Sequence, residues 1–151
     1  MKRFCFVCVS LLLLLFSSCG VWKASSGVES VPFEIAGRYF KKNVSELLES
    51  PLIRDGETFE KHFGAAAVMG KGGLPTEIDF SKEFVIAVVL PETDVATTLT
   101  PVDLKKNAKG ELVLEYGVGR GEKQSYTTVP CLLLVVENKW LSKVILREME
   151  L

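Results

Sequence analysis

The sequence predicts an α+β fold that is mainly β: an antiparallel sheet, curled or doubled into a sandwich or barrel, with one main helix packed on it. Three observations predict this class. Five runs in the second half of the chain are rich in Val, Ile, Leu and Thr, which favour strands. Their connectors are short and carry turn residues, which favours antiparallel pairing. One segment, residues 55–63, has an N-terminal capping residue and the apolar spacing of a helix.

The strand assignments follow from these apolar runs. Residues 84–90 are continuously apolar, which predicts a central strand. Leu112, Leu114 and Tyr116 alternate with other residues, as in a half-buried strand. A first strand is predicted by the alternating residues Phe33, Ile35 and Tyr39. Residues 52–53 are predicted to form a short strand, and residues 44–50 are predicted to form either a helical turn or a loop. The later strands are expected at residues 84–90, 97–104, 111–118, 128–136 and 144–151.

The predicted helix begins after Asp55, whose carboxylate can accept hydrogen bonds from the free amides of the first turn. Phe59 and Phe63 stand four residues apart and so lie on one face. His62 is expected on the exposed side, beside Lys61. Gly64 is expected to end the helix in a left-handed conformation, although Ala65-Ala66-Ala67 leaves a longer helix open.

The N-terminus has the pattern of a bacterial lipoprotein signal. Lys2 and Arg3 precede an apolar run of 13 residues, 4–16, which is shorter than the roughly 20 residues of a spanning helix. Ser17-Ser18-Cys19 then supplies small residues and a cysteine that can carry a lipid. An ordinary secretory signal or an uncleaved anchor are the alternatives. Gly20, rather than Asp, favours the outer membrane, and the lack of an acidic cluster after Cys19 favours a protein that faces the periplasm.

These signals divide the chain into three predicted parts: a signal peptide at 1–18, a lipidated Cys19 with a flexible tether at 19–31, and one domain at 32–151. Removing Lys2 and Arg3 changes the net charge from −1 to −3. Such a domain has no basic surface for nucleic acid. Cys131 is then the one internal cysteine, expected as a buried small hydrophobe in an apolar strand.

Most kinds of catalytic site lack their residues in this sequence. There is one histidine, and no spacing marks a metal site, so no catalytic residue, metal or cofactor is expected. Five residues separate Gly64 from Gly70-Lys71, whereas a phosphate-binding loop has four. Residues 69–75 are therefore interpreted as a loop. Gly119-Arg120-Gly121 is interpreted as a hairpin end or bulge.

Part of the domain resembles a known family. Ile78-Asp79 and Ser81-Lys82 precede an apolar strand, Thr97-Thr98-Leu99-Thr100 follows, and Pro130 opens a later apolar strand. This layout resembles the C-terminal domain of PrcB-type proteins, bacterial lipoproteins implicated in stabilising a protease complex, and lipoproteins of gut Bacteroidota. The resemblance covers roughly residues 78–144. It implies that the partner is a protease or another envelope protein.

Function is therefore expected in binding rather than catalysis. The first hypothesis is a lipid-anchored envelope module that binds a protein through strand edges and loops. Its candidate contacts are Met69, Lys71 and Leu74 in the loop, and Arg120, Gln124 and Tyr126 in the predicted hairpin. A carrier of small apolar ligands, with a pocket within the curled sheet, is the alternative. A hydrolase with a converged carboxylate or serine site is the third hypothesis.

Overall fold

The computed structural model describes residues 27–66 and 72–149, and within them the chain forms ten strands and one α-helix. The mainly β fold with one helix is confirmed. A 3-10 helix follows β9 at Asn138–Trp140. The elements are β1 (Glu29–Ser30), β2 (Glu34–Ile35), β3 (Tyr39–Lys41), β4 (Leu52–Ile53), α1 (Gly56–His62), β5 (Phe63–Ala65), β6 (Glu83–Val89), β7 (Thr93–Lys106), β8 (Leu112–Thr128), β9 (Cys131–Glu137) and β10 (Val144–Met149).

The strands form two sheets and a ribbon. The front sheet has the order β1-β7-β8-β10, the back sheet has the order β2-β9-β6-β4, and β3 pairs with β5. All pairings are antiparallel except that of β10 with β8, which is parallel. The sheets of the described chain do not close into a barrel, so open edges remain.

Strand β6 lies inside the back sheet, as its continuous apolar sequence predicts. Phe84, Ile86 and Val88 belong to the cluster between the two sheets, and each is at most 1% exposed. Val85 and Ala87 point to the other face and join the cluster beneath α1. Because successive side chains of a strand alternate between faces, a strand covered on both faces has to be apolar throughout.

Helix α1 is held by its cap and by aromatic packing. The amide of Thr58 donates to Oδ1 of Asp55 at 2.8 Å, which confirms the predicted cap. The ring of Phe59 lies 5.0 Å from that of Tyr39, 5.3 Å from that of Phe63 and 5.6 Å from that of Phe80. A helix of one or two turns needs such contacts, because its length alone does not keep it folded.

Two predictions for the end of this helix are wrong. Gly64 does not adopt a left-handed conformation, and Ala65 does not extend the helix, because Phe63–Ala65 is strand β5 and pairs with Tyr39–Lys41. His62 is not on an exposed side either, since it is 5% exposed. Strand β3 covers this side of the helix, and the amine of Lys41 contacts the His62 ring.

The antiparallel hairpins expected on either side of residues 93–128 are not formed, and residues 119–121 do not end a hairpin; the alternative of a bulge there agrees with the register shift between Arg120 and Lys123. Short links at 90–92 and 129–130 join the two sheets instead of forming hairpins. Strand β8 continues through Gly119-Arg120-Gly121 to Thr128. The turn of this β7–β8 hairpin lies at 107–110, a predicted connector, where Gly110 has φ 80° and thus needs glycine.

The packed part of the chain begins before residue 32, the predicted boundary. Glu29 and Ser30 pair with Lys106 and Lys105 of β7. Val31 is 2% exposed and belongs to the cluster between the sheets. The last residues of the predicted tether are therefore part of the fold, because they supply an edge strand and a core side chain.

Candidate functional site

The far half of the β7–β8 ladder, residues 93–101 and 118–128, is here called the outer ribbon. Strand β1 pairs with residues 105 and 106 of β7, and β10 pairs with residues 112–117 of β8. The outer ribbon lies beyond both pairings, and most side chains from residue 119 to residue 128 are exposed. It therefore presents two strand edges with no third strand among the described residues.

A large bulge interrupts the outer ribbon near its end. Thr93 pairs with Thr128 and Val95 pairs with Lys123. Between these two pairs β8 advances by five residues while β7 advances by two. The bulge carries two predicted contacts: the Gln124 amide nitrogen donates to Oη of Tyr126 at 3.0 Å, and Tyr126 is 58% exposed. A bulge of this kind re-aims side chains away from the ladder.

An ion pair and a hydrogen bond connect the bulge to the chain beside it. The Lys123 ammonium lies 3.0 Å from the Asp94 carboxylate on the neighbouring strand. The Thr127 hydroxyl donates to Glu92 at 2.6 Å. Arg120 lies farther along β8, opposite Thr97, and is exposed.

The structure thus groups three of the six predicted contacts. Arg120, Gln124 and Tyr126 lie on the outer ribbon, in a strand rather than in the predicted hairpin loop. Leu74 is 79% exposed in the segment before β6. Met69, Lys71 and Cys19 lie outside the described residues.

A second feature, which the sequence did not indicate, is an apolar cleft of about 430 Å³ beside the edge of the back sheet. We call it the edge cleft. Its wall includes the loop between β3 and β4, in which Val44 is 49% and Leu47 is 84% exposed. Its apolar lining includes Val44, Leu47, Pro51, Val89, Leu90 and Val129.

Main-chain groups of β6 lie unpaired at this cleft. The Ala87 amide donates to the Pro51 carbonyl at 2.8 Å, but Pro51 has no N–H to return to the Ala87 carbonyl. Leu90 donates to Pro130 on the opposite side, so by alternation Val89 faces the same side as Ala87. Neither the N–H nor the C=O of Val89 has a main-chain partner among residues 27–66 and 72–149.

Lys41 lies between the cleft wall and α1. Its ammonium donates to the carbonyls of Lys42 at 3.0 Å and Asn43 at 3.4 Å, and lies 3.3 Å from Nδ1 of His62. Burial lowers the pKa of Lys41, and burial followed by the charge of Lys41 lowers the pKa of His62. With three acceptors around it, this amine joins the cleft wall to α1.

Cys131 lies on the same side of the back sheet, at the start of β9. Burial raises the pKa of its thiol, and a raised pKa disfavours the reactive thiolate. The residue is partly exposed and packs against the cluster beneath α1. Its surroundings agree with the predicted apolar role, although it is less buried than predicted.

Comparison with protein-family models, with curated proteins and with solved structures gives no match. In the part of the chain that the structure describes, no helix is long and apolar enough to cross a bilayer. The same residues contain no group of three or more His, Cys, Asp or Glu side chains placed to hold a metal ion.

Proposed function

We propose that this chain is a lipid-anchored binding module of the cell envelope, without catalytic activity, whose partner surface is the outer ribbon. The observation that carries the proposal is the pair of uncovered strands that presents Arg120, Gln124 and Tyr126 together. An uncovered ribbon exposes unpaired main-chain groups, which are a template for pairing with another chain.

The chemistry of the outer ribbon suits a protein partner. Tyrosine and arginine are enriched at the energetically important positions of interfaces, since each combines a large contact area with hydrogen-bonding capacity. The hydrogen bond from Gln124 restricts Tyr126 before binding, which lowers the entropy cost of association. The proposal also includes a second, smaller contact with the partner, made by Leu74 and by the predicted loop residues Met69 and Lys71.

The location is part of the same proposal. A lipid on Cys19 attaches the chain to the outer membrane, where the domain faces the periplasm and meets other envelope proteins. The resemblance to PrcB-type proteins makes a protease complex the first partner to examine, with stabilisation or inhibition as the effect.

The test uses the full chain in its own host. The variant Arg120→Ala/Gln124→Ala/Tyr126→Ala is compared with Lys109→Ala, which changes an exposed residue in the turn at the opposite end of the same hairpin. We expect the amount of co-purified envelope partner to fall at least about tenfold in the triple variant, while its circular dichroism spectrum is unchanged. Equal recovery from both variants would contradict the proposal.

A carrier of small apolar ligands is the second candidate function. The apolar lining of the edge cleft favours it, and about 430 Å³ lies within the range of small-molecule sites. The cleft lies beside the back sheet, however, whereas the predicted pocket lay within the curled sheet. There the inward side chains of both sheets fill the space with residues such as Ile86, Leu104 and Leu114.

A further inference from the structure

The geometry points to a second binding site, the edge cleft, which takes an extended polypeptide segment that adds a strand to β6 next to β4. This inference goes beyond the outer ribbon, because it concerns the other sheet and different residues. The occupant is a short run of apolar residues flanked by a lysine or arginine.

Within the described residues, the edge of β6 has unpaired main-chain groups beyond the end of β4. Strand β4 stops at Pro51, although β6 continues past Ala87 to Val89. Both main-chain groups of Val89 therefore lie along the cleft without main-chain partners in the described chain, whereas Ala87 is 2% exposed and already lies opposite Pro51. An apolar ligand satisfies none of these groups, whereas an extended main chain offers donors and acceptors at the required spacing.

The shape of the cleft suits the side chains of an added strand. Exposed Val44 and Leu47 form the wall that faces the edge of β6. Since alternate residues of an added strand point to one face, one or two apolar side chains of the segment would lie in the apolar cleft. This arrangement covers Leu47, the most exposed of the large apolar side chains in the described residues.

The charges at the cleft favour a basic residue in the segment. Glu46 at the rim already contacts Lys61 at 2.5 Å. Glu92, at the other end of the cleft, accepts a hydrogen bond from Thr127 and has no cationic partner among the described residues. A basic residue at the end of the segment nearest Pro91 would pair with this carboxylate.

The experiment measures hydrogen exchange of the Val89 amide in the full chain, kept in detergent micelles. The probes are acetylated and amidated tetrapeptides in which three apolar β-branched residues precede or follow a lysine. We expect saturating peptide to slow exchange at Val89 by at least about tenfold. Peptides N-methylated at the amides that pair with β6 should give no protection, because each methyl group removes the donor to the Val89 carbonyl and keeps the two main chains apart.

Three variants separate the contributions. Val89→Pro removes the free N–H without touching the pairing with β9, because the Val88 and Leu90 positions carry those hydrogen bonds. Peptide binding to this variant, measured by titration calorimetry because position 89 no longer has an amide hydrogen, should be lost. Glu92→Gln should weaken binding of lysine peptides but not of norleucine analogues. Leu47→Asp, at a position 84% exposed, should weaken binding of both kinds of peptide without affecting folding.

Peptide protection at Val89 tests strand addition in the edge cleft separately from partner binding at the outer ribbon. Unchanged Val89 exchange with every peptide of the panel would overturn it. Binding of decanoate in the cleft with no peptide effect would also overturn it and assign the cleft to small apolar ligands. The Tyr126 variants should leave peptide protection at Val89 intact, so a failure of the proposed function is seen separately.

Discussion

The ammonium group of Lys41 lies 3.3 Å from Nδ1 of His62, and the two side chains are only 8% and 5% exposed. No carboxylate completes this pair by direct contact in the described residues; Glu46, the nearest acidic influence on both groups, is held by Lys61 at 2.5 Å. The arrangement is stable when His62 is neutral and its Nδ1 accepts from Lys41. It joins the wall of the edge cleft to helix α1.

Acid should therefore destabilise the protein through His62. Burial and the neighbouring Lys41 charge lower its pKa below the ordinary 6.5, so the unfolded chain takes up this proton before the folded chain does. The contribution is present above pH 6.5 and is lost as the pH falls through the lowered pKa. Each tenfold difference in proton affinity is worth about 1.4 kcal/mol of unfolding free energy.

The matched variant is His62→Asn, whose side-chain carbonyl replaces Nδ1 as acceptor without titrating. Urea unfolding at pH 7.5 and pH 5 should show a smaller loss of stability in the variant than in the wild type. Glu46 and Lys61 are present in both proteins, so the difference reports on His62 together with the smaller effect of His62 on the pKa of Glu46. An identical loss in both proteins would refute this account of the pair.

Gly64 and Phe40 should be energetically coupled. A Cβ at Gly64 would lie 2.5 Å from Cζ of Phe40, so Gly64→Ala must displace that ring, which is 49% exposed and able to move. We expect a loss of about 1 kcal/mol in the wild type and almost none in a Phe40→Ala background. Additive losses in a double-mutant cycle of urea unfolding would show that the ring does not lie over the glycine.

Cys131 should react slowly with thiol reagents in the folded protein. Burial raises the pKa of its thiol, and the side chain is only partly accessible. Alkylation by iodoacetamide at pH 8, followed by mass spectrometry of the Cys131 peptide, should be at least about tenfold slower than in urea. Equal rates in the two conditions would show that the start of β9 is open.

The strands and the helix were predictable because their signals are local. Asp55 caps α1, and the continuous apolar run of β6 forms a strand covered on both faces. Of the two alternatives predicted for Gly119-Arg120-Gly121, the bulge agrees with the register shift between Arg120 and Lys123, and the hairpin end is wrong. The segment lies within a ladder in which an added Cβ at Gly121 would be 3.4 Å from that of Ala96.

The site was predictable only in part, for the same physical reason. Exposed Arg120 and Tyr126 stood out as polar residues in a β-rich region. The edge cleft depends on which strand neighbours β6 and where that neighbour stops, and such pairings join residues far apart in the sequence. Pro51 is visible in the sequence, but its position opposite Ala87 follows only from the sheet order.

The central claim is that the outer ribbon is the partner surface, and site-specific photo-crosslinking tests it most directly. A benzophenone amino acid replaces Tyr126 in the full chain expressed in its own host, and Lys109 in the matched control. The account predicts one discrete adduct with an envelope protein from position 126 and none from position 109. The absence of an adduct at 126, or the same adducts from both positions, would contradict it.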